Sequence, residues 1–372
     1  MAPSDTIVVV GNSVRYLAQS ARAAGLAVTA VDGFGDADTR AACAQYRLAK
    51  GLSPSELANA AREPLSDRNT IWIYGAGFES QPQHLLSLAR HNRQLVGNEP
   101  SIMQLLAEPA RFFGLLDELG IAYPESELGP LEVGPGWLYK PAGGSGGLGI
   151  HRCTAGSPRV ADVAGYCQRF VSGRLLSLLF VADGASLEVI GFNRVMARYP
   201  LAGDFRFAGV IGGLMPDEAV KRGMLVAARR LTRALGLRGV NGIDFVIHQG
   251  RPLLIDLNVR PTAALELYED ALPGGGLRCH LDGCQGRLTA TPQPRMNRGM
   301  RVLYAREPLS VTRTQWPAWV TDRPQPGTHV AAEQPVCSVH AKGADPETVE
   351  ARLRERVDTV RHLLAERNEH AA

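Results

Sequence analysis

The fold is indicated most clearly by the segment Trp137-Leu-Tyr-Lys-Pro-Ala-Gly-Gly-Ser-Gly-Gly-Leu-Gly-Ile-His-Arg152. It places Lys140 on a short apolar strand and continues directly into a loop in which five of the seven residues Gly143–Gly149 are glycine. Glycine N–H groups approach a phosphate without obstruction by a Cβ atom, and a lysine adds a positive charge. The segment therefore suits the phosphates of a nucleotide. The alternative is a flexible surface turn.

Gly144–Gly149 formally matches G-x-G-x-x-G, the dinucleotide-binding pattern, but that pattern should open a helix. Here Ile150-His-Arg-Cys153 continues as a strand, so the glycines are predicted to form the turn of a β-hairpin. The P-loop pattern does not occur in the sequence. The protein-kinase arrangement is excluded because Lys140 precedes the glycines instead of following them. Arg152, on the second strand of the hairpin, is a further candidate for a phosphate contact.

A second segment, Asn241–Pro261, is typical of a strand, a turn and a strand, and it carries Asp244, Asp256, Asn258 and Arg260. Asp256 and Asn258 are two residues apart on one strand, so their side chains leave the same face. Two carboxylates and an amide oxygen make a hard oxygen site of the kind that Mg²⁺ prefers. Arg260 can neutralise charge on a transferred phosphoryl group. The alternative is a solvated strand face with salt bridges, which the surrounding apolar residues disfavour.

Composition limits the class of protein. The chain has 372 residues, with 45% hydrophobic and 21% charged residues, which are ordinary values for globular proteins of two or three domains. A net charge of +3 is too small to indicate nucleic acid or an anionic membrane as a partner. We expect no signal peptide and no membrane span. The six scattered cysteines fit reduced thiols, so the expected location is cytoplasmic.

Residues 1–98 show an alternation of strands and helices that predicts a small parallel sheet covered on both faces. The predicted strands and helices are Thr6–Val10, Val14–Ala24, Leu26–Val31, Ile71–Tyr74, Gln83–Arg90 and Leu95–Gly97. After the first strand, Gly11-Asn-Ser13 fits either an anion-binding turn or a tight turn alone.

Pro109–Leu119 is predicted to be helical, and residues 138–270 are mostly strand-like, with one clear helix at Asp217–Leu235. Pro273-Gly-Gly-Gly276 indicates a boundary. Residues 272–372 are predicted to form a small α+β region that ends in the amphipathic helix Pro346–Glu366. Within it, Cys279-His-Leu-Asp-Gly-Cys284 has a spacing that is not standard for zinc, so a zinc site is disfavoured.

The order of these features resembles the ATP-grasp superfamily over Glu99–Asp270: a Lys-Pro strand, a glycine-rich loop, a linker strand, and then Asp…Asp-x-Asn-x-Arg. The resemblance implies a mixed α/β and α+β chain with the ATP-grasp fold. It implies an N-terminal βαβ (pre-ATP-grasp) domain at 1–98, an ATP-grasp domain at 99–271 with its glycine-rich lid around 138–185, and a small C-terminal domain at 272–372. It also implies ATP and Mg²⁺ as cofactors.

The resemblance further implies site residues. Lys140 and Arg260 would be catalytic, and Asp244, Asp256 and Asn258 would bind the metal. The backbone of a hinge at Gln168–Gly173 would read adenine. The nucleotide-binding set that it implies is Lys140, Gly143, Gly144, Ser145, Gly146, Gly147, Gly149, Gln168, Arg169, Phe170, Val171 and Arg111. Arg111 stands near the position where the family usually has its first lysine, and Asp256 stands where it usually has a glutamate.

The activity that the resemblance implies is a ligase that activates a small-molecule carboxylate as an acyl phosphate, which an amine or a thiol then attacks. Coenzyme biosynthesis is the expected setting and a homodimer the expected assembly, with small-molecule acid and amine substrates. Arg194, Arg198, Arg206 and Arg260 are candidates for holding the acid. Two alternatives remain open: a carboxylase-type enzyme that uses bicarbonate, and a nucleotide-binding protein without turnover.

Overall fold

The computed structural model describes residues 6–49, 53–62, 70–90, 94–128, 134–154, 164–199, 202–290, 296–312 and 315–365. In this part of the chain, a parallel α/β sheet precedes two antiparallel sheets that carry their own helices. The α/β and α+β class predicted from the sequence is therefore confirmed. None of the described helices combines the length and the apolar composition that a membrane crossing requires.

The first sheet has five parallel strands in the order β3-β2-β1-β4-β5. Its central strands are buried on both faces, which explains why runs of valine and isoleucine form them. The strands are β1 (Thr6–Val10), β2 (Ala27–Asp32), β3 (Gln45–Leu48), β4 (Ile71–Tyr74) and β5 (Gln94–Val96). The helices are α1 (Arg15–Ala23), α2 (Ala37–Ala42), α3 (Pro54–Arg62) and α4 (Gln83–Ala89). The sequence analysis missed β3, α2 and α3, which are short or polar.

Two helices and a small antiparallel sheet follow. The helices are α5 (Pro100–Leu106) and α6 (Pro109–Glu118), each with proline in its first turn, where the missing N–H is tolerated. The sheet has the order β6-β9-β7-β8, with β6 (Ser126–Glu127), β7 (Trp137–Pro141), β8 (His151–Arg152) and β9 (Gly165–Arg169). Strands β7 and β8 pair antiparallel around the glycine-rich loop, so the predicted β-hairpin is confirmed.

The largest sheet is antiparallel and has eight strands. The predicted helix is present as α7 (Glu218–Leu235), and it packs on this sheet. Its first five strands are β10 (Arg174–Asp183), β11 (Leu187–Tyr199), β12 (Asp204–Leu214), β13 (Arg238–His248) and β14 (Arg251–Asn258). Strands β13 and β14 form the predicted hairpin, and β13 pairs with β10 on its other side. A 3₁₀ segment, Ala263–Ala271, follows β14.

The C-terminal strands extend that same sheet beyond β12. They are β15 (Asn297–Tyr304), β19 (Pro335–Gly343) and β17 (Val320–Thr321), and the sheet runs β14-β13-β10-β11-β12-β15-β19-β17. A separate pair joins β16 (Leu309–Ser310) to β18 (His329–Val330). Helix α9 (Pro346–Ala365) buries the predicted stripe of Val349, Leu353, Val357 and Val360 against β15 and β19. The eight-stranded sheet contains strands from both sides of residue 272. The domain boundary expected at that residue remains a prediction.

Helix α8 (Gly275–Cys284) occupies the stretch that the sequence analysis treated as a boundary and a disfavoured zinc site. Its His280 is 1% exposed and accepts a hydrogen bond at Nδ1 from the N–H of Val240, at 3.0 Å. Burial lowers the pKa of His280 to about 4. Among the described residues no three histidine, cysteine or acidic side chains are placed to hold a metal ion together. His280 is therefore a neutral residue that fixes α8 against β13.

Asn98 joins the parallel sheet to the large antiparallel sheet. Its side chain is 3% exposed. Its Nδ2 donates to Asn241 Oδ1 at 2.7 Å and to the Val259 carbonyl at 2.9 Å, and its Oδ1 accepts the N–H of Arg238 at 2.8 Å. The donors and the acceptor of this buried amide are thus satisfied by two strands of the other sheet. This contact is one of those that fix the relative position of the two sheets.

Replacing Asn98 by alanine should lower the free energy of unfolding by about 3 kcal/mol, because buried partners are left without a hydrogen bond. The measurement is urea unfolding followed by intrinsic fluorescence. The matched control is Glu99→Ala, which alters the exposed neighbouring residue, whose side chain makes no helix-capping hydrogen bond. Equal stability of the two variants would contradict a joining role for Asn98.

Candidate active site

Two carboxylates face each other across β13 and β14. Asp244 and Asp256 are register partners, and the pairing shifts immediately after them because Ile255 is an extra residue in β14. Burial, followed by the charge of Asp256, raises the pKa of Asp244 to about 7. Burial also raises the pKa of Asp256. The predicted acidic pair is therefore assembled, and its two half-buried carboxylates concentrate negative charge at one place.

Lys140 and Asn258 lie beside this pair. Lys140 Nζ donates at 3.3 Å to the carbonyl of Ile255, the residue that the irregularity in β14 sets out of register. Burial lowers the pKa of Lys140 to about 8, while the charges of Asp256 and Asp244 act in the opposite direction. Asn258 Nδ2 donates to Asp256 Oδ2 at 3.1 Å. The structure thus brings together the four residues that the sequence analysis had placed on two distant segments.

Arg260 is held by a residue that the sequence analysis missed. Its Nε donates to Glu79 Oε1 at 2.6 Å, and a terminal nitrogen donates to Ser145 Oγ at 3.3 Å. Burial raises the pKa of Glu79, but Arg260 and the N–H of Gly77 bring it below its usual value. Glu79 follows the carboxyl end of the parallel strand β4, where polar residues commonly enter a site. The position of Glu79 after a predicted parallel strand is the feature of the sequence that could have identified it as a site residue.

The glycine-rich loop lies against the rest of the protein. Gly143, Gly146 and Gly147 have positive φ angles of 63°, 62° and 73°. A Cβ atom at Gly147 would overlap the carbonyl of Phe205 at the start of β12. The N–H of Phe207 donates to the Gly146 carbonyl at 2.9 Å. Glycine is therefore required for the loop to approach β12 this closely.

The predicted hinge begins at the end of β9, and its side chains contact the small sheet. Gln168 Nε2 donates to Ser126 Oγ at 3.0 Å. The Arg169 guanidinium lies 4.4 Å from the centre of the Trp137 ring and forms an ion pair with Glu125 at 3.1 Å. These side-chain contacts hold the segment in place.

Two backbone donors of the hinge are already used within the protein. The N–H of Arg169 donates to the Glu125 carbonyl at 2.7 Å, and the N–H of Phe170 donates to the Gly136 carbonyl at 2.8 Å. Val171 follows them and lines the cavity described next. Any backbone contact of the hinge with a ligand must therefore come from the carbonyls or from the N–H of Val171 onward.

All of these groups line one cavity of about 1130 Å³. One part of its wall is apolar and includes Met103, Leu106, Phe112, Leu138, Tyr166 and Leu257. Every residue of the predicted nucleotide-binding and metal sets lines it except Gly149 and Arg111. Arg111 is 57% exposed on α6 and pairs with Glu108 at 3.1 Å. The structure therefore does not bring Arg111 to the other site residues.

The other predicted arginines are held in ion pairs. Arg194 pairs with a carboxylate of α9 at 2.6 Å. Arg198 and Arg206 share Asp204 and Glu333, with the Arg206–Asp204 pair at 2.7 Å. None of the three arginines is among the described residues that line the cavity. The expectation that they hold the acid is corrected. Arg194 joins β11 to helix α9, the other two join β11 and β12 to Glu333, and Arg260 is the one of the four that lines the cavity.

A second charged group lines the same cavity and was not found in the sequence. Arg15 is 3% exposed; it donates to Glu266 at 2.7 and 2.5 Å and to Asp322 at 2.7 Å. It begins helix α1, directly after the Gly11–Ser13 turn. A buried arginine requires a nearby carboxylate, so this group joins the parallel sheet to two later segments of the chain.

A family model for the ATP-grasp domain matches residues 110–264. These residues are an ATP-grasp domain. It contains Lys140, the glycine-rich loop, and the strands with Asp244 and Asp256, so most of the cavity wall described above belongs to it. Glu79 and Arg15 come from the parallel sheet outside the matched residues.

Relatives match in part. The arginine-specific large chain of carbamoyl phosphate synthase from Bacillus subtilis strain 168 is 24% identical over 195 residues, which are 48% of this chain and 19% of that protein. A D-alanine–D-alanine ligase from Anaeromyxobacter dehalogenans strain 2CP-C is 29% identical over 153 residues, 38% of this chain and 49% of the ligase. The chain therefore spans about half the length of these curated relatives or less.

A solved structure of a biotin carboxylase–β-γ-ATP complex from Campylobacter jejuni superposes on the chain with a TM-score of 0.71. The superposition covers 94% of this chain and 89% of that one, at 15% sequence identity. The likeness shows the fold, so the ATP-grasp fold predicted from the sequence is confirmed, and its arrangement extends beyond the matched domain.

The substitution Gly147→Ala should release the glycine-rich loop from β12, because its Cβ has no room beside Phe205. Amide hydrogen exchange at Phe207 should become about fivefold to tenfold faster, since a backbone hydrogen bond stabilises by about 1 kcal/mol. Gly146→Ala is the matched control, with a similar φ and no neighbour within 4 Å of an added Cβ. Equal exchange in both variants would argue against this docking of the loop.

Proposed function

We propose that the protein is an ATP- and Mg²⁺-dependent ligase that converts a small-molecule carboxylate into an acyl phosphate and joins it to an amine. The observation that carries the proposal is the pairing of Asp244 with Asp256 beside Lys140, with Arg260 in the same cavity. Such a site concentrates opposite charges where phosphates and a divalent cation would meet.

ATP is proposed to lie with its adenine in the apolar part of the cavity, next to Gln168–Val171. The Arg169 carbonyl and the Val171 N–H are the backbone groups proposed to contact the base, since the other two N–H groups are used internally. Lys140 and the loop residues Gly143–Gly147 are proposed to hold the phosphates. The loop already covers this part of the cavity through its contact with β12.

Asp244, Asp256 and Asn258 suit Mg²⁺ because all three offer hard oxygen ligands. Burial, followed by the charge of Asp256, raises the pKa of Asp244 to about 7, so a cation that joins the pair favours its ionised form. Bound Mg²⁺ would supply that cation and would also offset the charge of the nucleotide phosphates.

The proposed reaction has two steps. A carboxylate oxygen of the acid attacks the γ-phosphorus of ATP, the bond from that phosphorus to the β–γ bridging oxygen breaks, and ADP leaves with the electron pair. The amine nitrogen then attacks the acyl carbon, the carbon–oxygen bond to phosphate breaks, and the nitrogen loses a proton. Arg260 neutralises charge on the transferred group, and Glu79 keeps its guanidinium in position.

The name of the D-alanine–D-alanine ligase supports amide formation from a carboxylate and an amine. The names of the carbamoyl phosphate synthase and the biotin carboxylase support the rival in which bicarbonate is the acid. The presence of all three proposed metal ligands argues against a nucleotide-binding protein without turnover. A protein of that kind has no need of a paired acidic site beside Lys140 and Arg260.

ADP release measured across a panel of carboxylic acids and amines, with bicarbonate included, tests the proposal. Asp256→Asn should slow acid-dependent ADP release by about 100-fold, because the charge that stabilises the transferring group is no longer organised. Glu188→Gln, on an exposed position of β11, is the control and should leave the rate unchanged. ADP release that needs bicarbonate alone would support the carboxylase rival. Tight ATP binding without ADP from any acid would contradict a ligase.

A further inference from the structure

Asp36 is a buried carboxylate that the proposed reaction does not use. It is 6% exposed and occupies the N-cap position of α2, yet its side chain makes no capping hydrogen bond. No other side-chain hydrogen bond or ion pair to it occurs among the described residues, and it lines the cavity. A buried carboxylate in this state is unfavourable unless a cation reaches it.

The arginines around Asp36 are already paired with other acids. Arg323 Nε lies 3.6 Å from Asp38 Oδ2. Arg15 is bound to Glu266 and Asp322. Asp38 accepts the backbone N–H groups of Asp322 and of the residue after it, both at 3.0 Å. Burial, followed by the charges of Asp322, Asp32 and Asp38, raises the pKa of Asp36 to about 8, and Arg15 opposes this only in part. The region therefore carries more negative charge than its own cations balance.

Asp36 and Glu79 belong to the same edge of the parallel sheet. Asp36 follows β2 and Glu79 follows β4, at the carboxyl ends of those strands. The backbone of Asn12, after β1, connects the two loops, because its N–H donates to Ala76 at 2.7 Å and its carbonyl accepts from Gly33 at 3.1 Å. Ligands of open α/β sheets bind at this edge. A group bound at Asp36 is thus in the cavity that holds Arg260.

An apolar wall lies next to Asp322. Val302 is the register partner of Ser338, and Ser338 is in turn the register partner of Thr321, the residue before Asp322. Met300, two residues before Val302, leaves the same face of β15, and both line the cavity. This wall and the carboxylates together suit a molecule that has a cationic head and an apolar body.

We propose that Asp36, with Asp322 beside it, binds the ammonium group of the acceptor substrate, and that Met300 and Val302 contact its apolar body. The acceptor is then a primary amine without a carboxylate of its own, since the nearby Arg15 is already paired with two acids. The identity of this molecule as the acceptor rests on the proposed ligase activity.

The test uses n-pentylamine as the probe, titrated by ligand-observed NMR into the full chain at pH 8.5, where most of Asp36 is ionised and the alkylammonium keeps its charge. Asp36→Asn should weaken binding by about 30-fold or more, because one partner of a buried charge pair is removed. 1-Pentanol has the same body without the charge, and norleucine adds a carboxylate. Both should bind more weakly than pentylamine.

A folding control separates this role from a structural one. Asp36→Asn should leave the Tm unchanged or raise it, because its carboxylate has no hydrogen bond to lose and repels its neighbours. Asp38→Asn should lower the Tm, because the Asp38 oxygens accept two backbone N–H groups. Equal pentylamine binding by the wild type and Asp36→Asn overturns the proposal, and so does an absence of binding by the wild type.

A turnover experiment distinguishes a failure of the amine site from a failure of the ligase activity. Hydroxylamine is a small neutral nucleophile that traps an acyl phosphate as a hydroxamate. With an acid that supports ADP release, Asp36→Asn should form hydroxamate at the wild-type rate and lose amide formation with pentylamine. Loss of both products in a folded variant overturns the assignment. If the wild type forms no hydroxamate with any acid, the ligase proposal fails, and the binding titration still decides whether Asp36 holds an amine.

Discussion

The proposed chemistry depends on two half-buried carboxylates that are held opposite each other. Asp244 and Asp256 repel one another, and their burial makes each charge more costly. Side chains of the same protein offset this only in part, through Lys140 and Arg260. A site of this kind is favourable when a further cation joins it, so the acidic pair is a constraint that the fold maintains for binding and not for stability.

Three of the sheets contribute residues to this arrangement. The small sheet supplies Lys140 and the glycine-rich loop, the large sheet supplies the acidic pair, and the parallel sheet supplies Glu79. Glu79 fixes Arg260, and Arg260 in turn contacts the loop through Ser145. Movement of the loop therefore changes the environment of Arg260. In this way the position of the Arg260 guanidinium depends on whether the loop covers the cavity.

Much of this could be predicted because it is local in sequence. The period of two places Asp256 on a defined strand face, and the short turn of the hairpin brings Asp244 opposite it. Periodicity also gave the helix α9 and the core strands of the parallel sheet. The Glu79–Arg260 pair could not be found in this way, because its members are 181 residues apart. Nor does the sequence distinguish an arginine such as Arg198, paired with carboxylates of its own chain, from one that faces a cavity.

If an acyl phosphate forms, an oxygen atom of the acid passes to phosphate, and isotope labelling detects this transfer. The acid that supports ADP release is labelled with ¹⁸O in its carboxylate, and the inorganic phosphate released during amide formation is analysed by mass spectrometry. We predict that each phosphate carries one ¹⁸O atom from the acid, because the carboxylate oxygen that attacks ATP leaves with the phosphoryl group. Phosphate without label would contradict the account, since it would mean that the acid is never phosphorylated.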